Sequence, residues 1–258
     1  MGLPGLASSQ MVEVDRIMMV ELEVPVDLMM EHAGNNLARL CVTLSPTRDG
    51  VFRVIAGSGN NGGGGIVAAR RLKSWGHDAI IYLPCGKENL RSVPLEQLKR
   101  AKGGGVKIVN GLPEASTEQP CLVVDAYLGY GYHKKEDSVS ETVFSYLRSE
   151  SKVVSLDVPS GLDSTTGESH SLFNPIATMT IAFMKRGLLT VPKNLIGSLF
   201  IADIGVPMDI YETRLNLSWN PPYSLFSLNS LYLAFSQDPL QQVKVSKTDA
   251  GPTWSVSF

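Results

Sequence analysis

The stretch from Val51 to Leu72 constrains this chain more than any other. Val51-Phe52-Arg53-Val54-Ile55-Ala56 is a strand-length run broken by one polar residue, Gly57 to Gly65 is dominated by glycine, and Ile66-Val67-Ala68-Ala69-Arg70-Arg71-Leu72 opens a helix that ends at Gly76. A strand, a glycine loop and a helix in that order form the opening unit of a parallel α/β sheet. Within the loop, Gly57-Ser58-Gly59-Asn60-Asn61-Gly62 has the G-x-G-x-x-G spacing, which lets backbone N–H groups approach an anion at the start of a helix. A tight turn that binds nothing is the simpler alternative, and the strand-to-helix context weighs against it.

The rest of the chain continues the alternation. Two helices precede the first strand, one from Ser9 to Leu22 and one from Asp27 to about Leu44, separated at Val24-Pro25. After the glycine unit come strand Ala79–Leu83, helix Val93–Lys102, strands Val106–Val109 and Cys121–Ala126, a helix near Val139–Leu147, and strands Val153–Leu156, Met179–Phe183 and Leu199–Ile201. β-Branched apolar strands bounded by Gly and Pro suit a mostly parallel sheet covered on both faces. The expected fold is therefore α/β: a Rossmann-like three-layer αβα sandwich preceded by two N-terminal helices. Beyond about Glu212 the texture changes, and after Arg214 charged residues vanish from Leu215 to Gln237, so residues 1–212 read as the folded domain and 213–258 as an extension without a separate fold. Leu225, Leu228, Leu231 and Phe235 recur at helical spacing there and predict a short docking helix.

At 258 residues with 43% hydrophobic side chains, the chain is long enough to bury one large core. A net charge of -2 and a pI near 6.1 give no basic stripe for nucleic acid or an anionic membrane, so the expected partner is a small molecule or another protein. Cys41, Cys85 and Cys121 are scattered and form no CxxC pair, which argues against a disulfide framework or a zinc site and for a reducing, cytoplasmic setting. The first ten residues lack the basic start and apolar run of a secretory signal, and Leu215–Gln237 is too polar to cross a membrane.

Several strand ends carry residues suited to chemistry. Val123-Val124-Asp125 runs into Gly129-Tyr130-Gly131-Tyr132, and Leu156-Asp157-Val158-Pro159-Ser160-Gly161 turns sharply. In a parallel sheet these ends share one edge with the glycine loop, and ligands of open α/β sheets collect outside the carboxyl ends of strands. Asn61, Asp125, Asp157 and Ser160 are thus expected in one crevice, although Asp125 and Ser160 taken singly read as turn or helix caps. Asn60 and Asn61 add amide groups to a loop that glycine alone would build. Lys185, beside Arg186, follows a strand and points to the same edge or to solvent. His133, Lys134 and Lys135 lie on the loop after Gly131 and are candidates for phosphate contacts or idle surface groups. A conventional NAD-dependent dehydrogenase would carry an acidic residue at the end of the second strand to grip a ribose. Leu83-Pro84-Cys85-Gly86 supplies none before Glu88, which weakens that reading.

Taken together, Leu28-Met29-Met30-Glu31-His32-Ala33-Gly34, Gly59-Asn60-Asn61-Gly62-Gly63-Gly64-Gly65, Val124-Asp125-Ala126, Asp157-Val158-Pro159-Ser160-Gly161, Met184-Lys185-Arg186-Gly187 and Ile201-Ala202-Asp203-Ile204-Gly205 resemble, in order and spacing, the landmarks of the NAD(P)H-hydrate epimerase family, also called the YjeF N-terminal domain. The resemblance covers about residues 10–212. It implies an isomerase of metabolite repair that interconverts the R and S hydrates of NADH and NADPH. It also implies that Asn60, Asn61, Gly62, Gly63 and Gly64, the loop Gly129, Tyr130, Gly131, Tyr132, His133, Lys134 and Lys135, and Asp157 contact the dinucleotide. By the same resemblance Asn61, Asp125 and Ser160 bind potassium, and the protein is a homodimer whose product passes to a separate dehydratase; on chemical grounds Asp157 is the expected catalytic acid–base group, with Lys185 as the candidate second acid or base. An amide oxygen, a carboxylate and a hydroxyl are hard ligands that suit a hard cation.

Three departures stand out. Gly64 replaces the family's loop aspartate, removing an acceptor for a ligand hydroxyl; His32 replaces an asparagine; and residues after 212 have no family counterpart. Gly64 motivates the alternative of a catalytically impaired binding or scaffold protein, as in relatives that act in apolipoprotein A-I binding or messenger-RNA decapping. The retained Asn61, Asp125, Asp157 and Ser160 favour the enzyme.

Overall fold

The structure, a computed structural model, describes residues 4–45, 50–113, 122–132 and 137–217, and the backbone alone of 231–235, 245–248 and 251–254. Helix α1 (Ser8–Arg16) runs into a π-helical turn at Ile17–Glu21, and α2 (Val26–Leu44) follows, capped by Pro25. Strand β1 (Val51–Ala56) leads into α3 (Asn60–Ser74), then β2 (Asp78–Leu83), α4 (Ser92–Gly103), β3 (Lys107–Asn110) and β4 (Leu122–Ala126). Helix α5 (Ser138–Ser149), β5 (Val153–Leu156), β6 (Ala177–Ile181) and β7 (Ser198–Ala202) complete the domain.

The strands order as β3-β2-β1-β4-β5-β6-β7, all parallel, with an eighth strand, β8 (Leu231–Phe235), added antiparallel to β7. From β1 the chain winds outward through β2 and β3, returns to β4 beside β1, and winds outward the other way. The order therefore reverses between β1 and β4, where doubly wound sheets open a crevice at their carboxyl edge. Side chains alternate across the sheet, as a two-residue period demands. Phe52, Val54, Leu122 and Val124 pack under Leu37 of α2, Ile66 of α3 and Leu98 of α4. Ile55 and Val123 pack on the opposite face with Val143, Phe144 and Leu147 of α5. A third cluster joins Met11, Val14 and Met18 of the N-terminal helix to Phe183, Leu199, Ile201 and Tyr211.

The expected α/β sandwich with two preceding helices is what the chain forms. Some local expectations change. The first helix is not one α-helix to Leu22, since its last turn widens into a π turn. The glycine stretch is not a loop to Gly65, because α3 begins at Asn60 and carries Gly62–Gly65 inside it. Close packing explains this: a Cβ at Gly65 would lie 2.5 Å from the Ala126 Cβ. The strand expected at Met179–Phe183 spans Ala177–Ile181 and ends where Ala182 turns to φ 64°. The helix expected around Leu225–Phe235 is not formed over Leu231–Phe235, which is strand β8; residues 225–230 lie outside the described residues. Past β8, Val245–Thr248 and Gly251–Trp254 pair antiparallel.

Candidate active site

The loops after β1, β4, β5 and β6 meet at the carboxyl edge of the sheet and frame a cleft of about 420 Å³, within the range of small-molecule sites. Its walls include Asn60, Asn61, Gly64, Gly129, Tyr130, Gly131, Tyr132, Asp157 and Lys185, with Asp15, Met11, Met19, Met29 and Met30 from the N-terminal helices and Arg91 from the start of α4. The turn from β1 into α3 can fold on itself and against the β4 loop only because Gly57 and Gly62 lack a Cβ. One at Gly57 would fall 1.8 Å from the Tyr127 carbonyl oxygen, and one at Gly62 would fall 1.9 Å from that of Gly57.

Beneath the cleft wall three segments meet at the Leu128 backbone. The Asn61 Nδ2 donates to Leu128 O at 2.8 Å and to Leu156 O at 3.2 Å. The Ser160 Oγ accepts from Leu128 N at 2.8 Å and donates to Asp125 Oδ1. Asp125 is fully buried, and its Oδ2 accepts from Ser160 N and Ser155 Oγ, each at 2.9 Å. Burial pushes the Asp125 carboxyl above its ordinary range, against the lowering effect of the Ser160 and Ser155 hydrogen bonds. Asn61, Asp125 and Ser160 are thus brought together, as the strand-end argument requires.

These residues fit a hard monovalent cation. The Asn61 Oδ1 is buried with no hydrogen-bond partner, and Asp125 has no ion-pair partner among the described residues. An orphaned amide oxygen on a loop that Leu128 and Ser160 tie to a buried carboxylate is the donor chemistry of an oxygen-ligated cation. An amide oxygen, a hydroxyl and one carboxylate are hard donors without the imidazole or thiolate that a transition metal prefers.

On the cleft side, Asp157 sits just after β5 at φ 71° and is 2% exposed. A left-handed non-glycine residue costs on the order of 1 kcal/mol and is held only where its surroundings over-determine it. Here the Asp157 N–H donates to Met179 O at 2.7 Å, and Oδ2 accepts from the Tyr130 N–H at 2.8 Å. Its Oδ1 lies 2.5 Å from the Lys185 Nζ. Lys185 is fully buried, also donates to Ile181 O at 2.6 Å, and lies 5.8 Å from the centre of the Tyr130 ring. The N-terminal segment clamps this lysine: Leu6 N donates to Met184 O and Arg186 N to Leu6 O, both at 2.8 Å.

Gly62 and Gly63 lie behind the cleft, Gly62 against the Gly57 carbonyl and Gly63 against the Met30 thioether. A Cβ on Gly64 would meet Leu156 Cδ2 at 2.9 Å, the tip of a side chain that can move. His133, Lys134 and Lys135 lie outside the described residues. Sequence reasoning missed Asp15 and Arg91. The Asp15 carboxyl is raised, chiefly by burial, against a hydrogen bond from Tyr130 and the charge of Lys185. The signal was present as an acid four residues after Met11 on an otherwise apolar helix face.

Against known proteins, residues 26–187 match the model of the family described as YjeF-related protein N-terminus. A protein named NAD(P)H-hydrate epimerase from Dehalogenimonas lykanthroporepellens is 36% identical over 210 residues, 80% of this chain and 83% of that one. One of the same name from Rhodopirellula baltica is 30% identical over 214 residues, 81% of this chain and 87% of that one. A bifunctional NAD(P)H-hydrate repair enzyme from Thermofilum pendens is 32% identical over 222 residues, which is 82% of this chain and 42% of the longer relative. The crystal structure of the yeast protein ynu0 superposes with a TM-score of 0.75 at 24% identity, over 90% of this chain and all of that one, and supports the fold. On the family match and these identities, the chain belongs to the YjeF-related N-terminal family.

Proposed function

We propose that this chain interconverts the R and S epimers of hydrated NADH and NADPH, as the names of its relatives state for them. The observation that carries the reading is the Asp157–Lys185 pair, held at a strained backbone position and facing a cleft of small-molecule size. Epimerisation at ring carbon 6 requires a hydroxyl to leave one face and water to return on the other. A carboxylic acid helps the hydroxyl leave as water, the ring nitrogen shares the positive charge that results, and a carboxylate guides water back. Asp157 is that acid–base group on one face. Lys185, committed to Asp157 Oδ1 and the Ile181 carbonyl, fixes its orientation.

In this reading Asn60, Asn61 and Gly64 together with the Gly129–Lys135 loop hold the nicotinamide end and the phosphates. Asn61, Asp125 and Ser160 hold potassium, which when bound supplies a fixed positive charge beside the buried carboxylate and ties the three loops together. Val12, Met19, Val20, Leu22 and Leu28 form an exposed apolar band on the N-terminal helices, and a homodimer through that band would cover it. A separate dehydratase consumes the product in the cytoplasm. No described helix is long and apolar enough to cross a membrane.

Gly64 keeps a second reading in play, in which the cleft binds the hydrate without turning it over. Incubation of the protein with one purified epimer, in potassium and in a potassium-free buffer, separates the two. Chromatographic appearance of the other epimer supports the enzyme, and saturable binding with no conversion supports the scaffold.

A further inference from the structure

Asp15 belongs to no landmark of the family resemblance, yet it sits in the same cleft as Asp157. It comes from α1, is partly buried, and its Oδ2 accepts from the Tyr130 hydroxyl at 2.5 Å. Tyr130 therefore bridges two carboxyl groups. Its backbone N–H holds Asp157 Oδ2 and its phenol holds Asp15 Oδ2, so one tyrosine spans the two acids, both of which line the cleft. Tyr130 is the only donor to Asp15 among the described residues, which leaves Oδ1 available to a ligand. The placement is built rather than incidental: the Leu6 bridge to Lys185 and the Ser8 N–H on Thr165 Oγ1 at 2.9 Å anchor α1 against the site.

We infer that Asp15 is the second catalytic acid–base residue, working on the ring face opposite Asp157. This rests on the epimerase reading above. Chemistry that removes a group from one face and adds water to the other needs a proton-transfer group on each, with room between them for substrate and water, as in inverting hydrolases. Lys185 is poorly suited to the second role, because its ammonium is buried and spent on Asp157 and Ile181 O. Asp15 faces Tyr130, Lys185 and Asp157, and its burial raises its pKa, the direction an acid at neutral pH requires.

The step balances without an outside reagent. The Asp15 carboxylic proton passes to the hydroxyl on carbon 6, the carbon–oxygen bond breaks with its electron pair leaving on water, and the ring nitrogen's lone pair forms the C=N bond. A second water adds its oxygen to carbon 6 from the opposite face and gives a proton to Asp157. One water leaves, one enters, and the two carboxyl groups have exchanged protonation states, which solvent resets. For the other epimer the roles reverse.

The test uses the full chain, pure epimers and water enriched in oxygen-18. Asp15→Asn should lower the interconversion rate on the order of 10²–10⁴-fold, while Asp157 continues to exchange the hydroxyl of the epimer facing it, without inversion. Asp157→Asn should show the mirror pattern with the other epimer. A variant that interconverts within about threefold of the wild type overturns the assignment. So does loss of exchange with both epimers, which would make Asp15 a positioning group. Absence of both inversion and exchange in the wild type would instead sink the epimerase reading itself. Tyr130→Phe keeps the ring and removes the hydrogen bond that favours ionised Asp15. In it the Asp15 limb of the pH–rate profile should move upward, and an unmoved limb contradicts the proposal even if Asp15→Asn fails to fold.

Discussion

The Asp157 carboxylate and the Lys185 ammonium meet at 2.5 Å, both almost fully buried, although one follows β5 and the other follows β6. Removing one partner of such a pair leaves the other charge uncompensated, so the two are best changed by near-isosteric substitutions. Asp157→Asn keeps the side-chain shape and tolerates the left-handed backbone. It should retain the fold by circular dichroism and lose interconversion by about 10²–10⁴-fold in kcat. A kcat within a few-fold of the wild type would remove Asp157 from the chemistry.

The potassium assignment predicts a thermal shift. A ligand at a hundredfold excess over its Kd stabilises the folded state by about 2.7 kcal/mol, so the protein should melt higher in potassium chloride than in N-methylglucamine chloride. Ser160→Ala deprives both Leu128 N and Asp125 of a partner. It should cost about 1–3 kcal/mol and shrink the potassium increment. Identical melting in the two salts would contradict the site.

Backbone approach in the glycine turn gives a matched pair of variants. At Gly62 a Cβ would fall 1.9 Å from the Gly57 carbonyl oxygen, whereas at Gly59 it would meet nothing within 4 Å. Gly62→Ala should therefore destabilise by about 1–3 kcal/mol or prevent folding, and Gly59→Ala should stay within about 0.5 kcal/mol of the wild type. Urea titration of both reads the difference, and equal midpoints would refute the packing.

Asp15 also links stability to pH. Burial, partly offset by the Tyr130 hydrogen bond and the charge of Lys185, raises its folded-state pKa above 3.8, its ordinary value, so between the two values the folded chain binds more protons than the unfolded one. Its contribution is fully present below the ordinary aspartate range and is lost as pH rises through the folded-state value. Relative to Asp15→Asn, the wild type should lose stability as pH climbs from about 4 towards neutrality. A difference between the two proteins that does not change with pH would show that Asp15 titrates as it does in the unfolded chain.

Much of this was legible in the residues. The strand ends at Ala56, Ala126 and Leu156 could be read from apolar runs and turn signals, and parallel pairing then brings Asn61, Asp125 and Ser160 to one edge. Three things were hidden. Four consecutive glycines have poor helix propensity, so nothing local announced that Gly62–Gly65 are helical; the Ala126 Cβ beside Gly65 decides it, a tertiary constraint that overrides propensity. Asp15 showed in the sequence only as an acid on an apolar helix face; its place in the site was hidden because its partner, Tyr130, is 115 positions away, and the Leu6–Lys185 bridge and the Ser8–Thr165 hydrogen bond that bring its helix there are equally long-range. Leu231 and Phe235 fit a helix by spacing, yet the open edge of β7 offered backbone partners that a strand can use.

The central claim is that water leaves one face of carbon 6 and a different water returns on the other. Epimerisation of a single hydrate in oxygen-18 water, followed by mass spectrometry at early times, tests it directly. Incorporation of one labelled oxygen in every molecule of newly formed epimer is the predicted result. New epimer that keeps its original oxygen would mean that the carbon–oxygen bond never breaks, and the mechanism would be wrong.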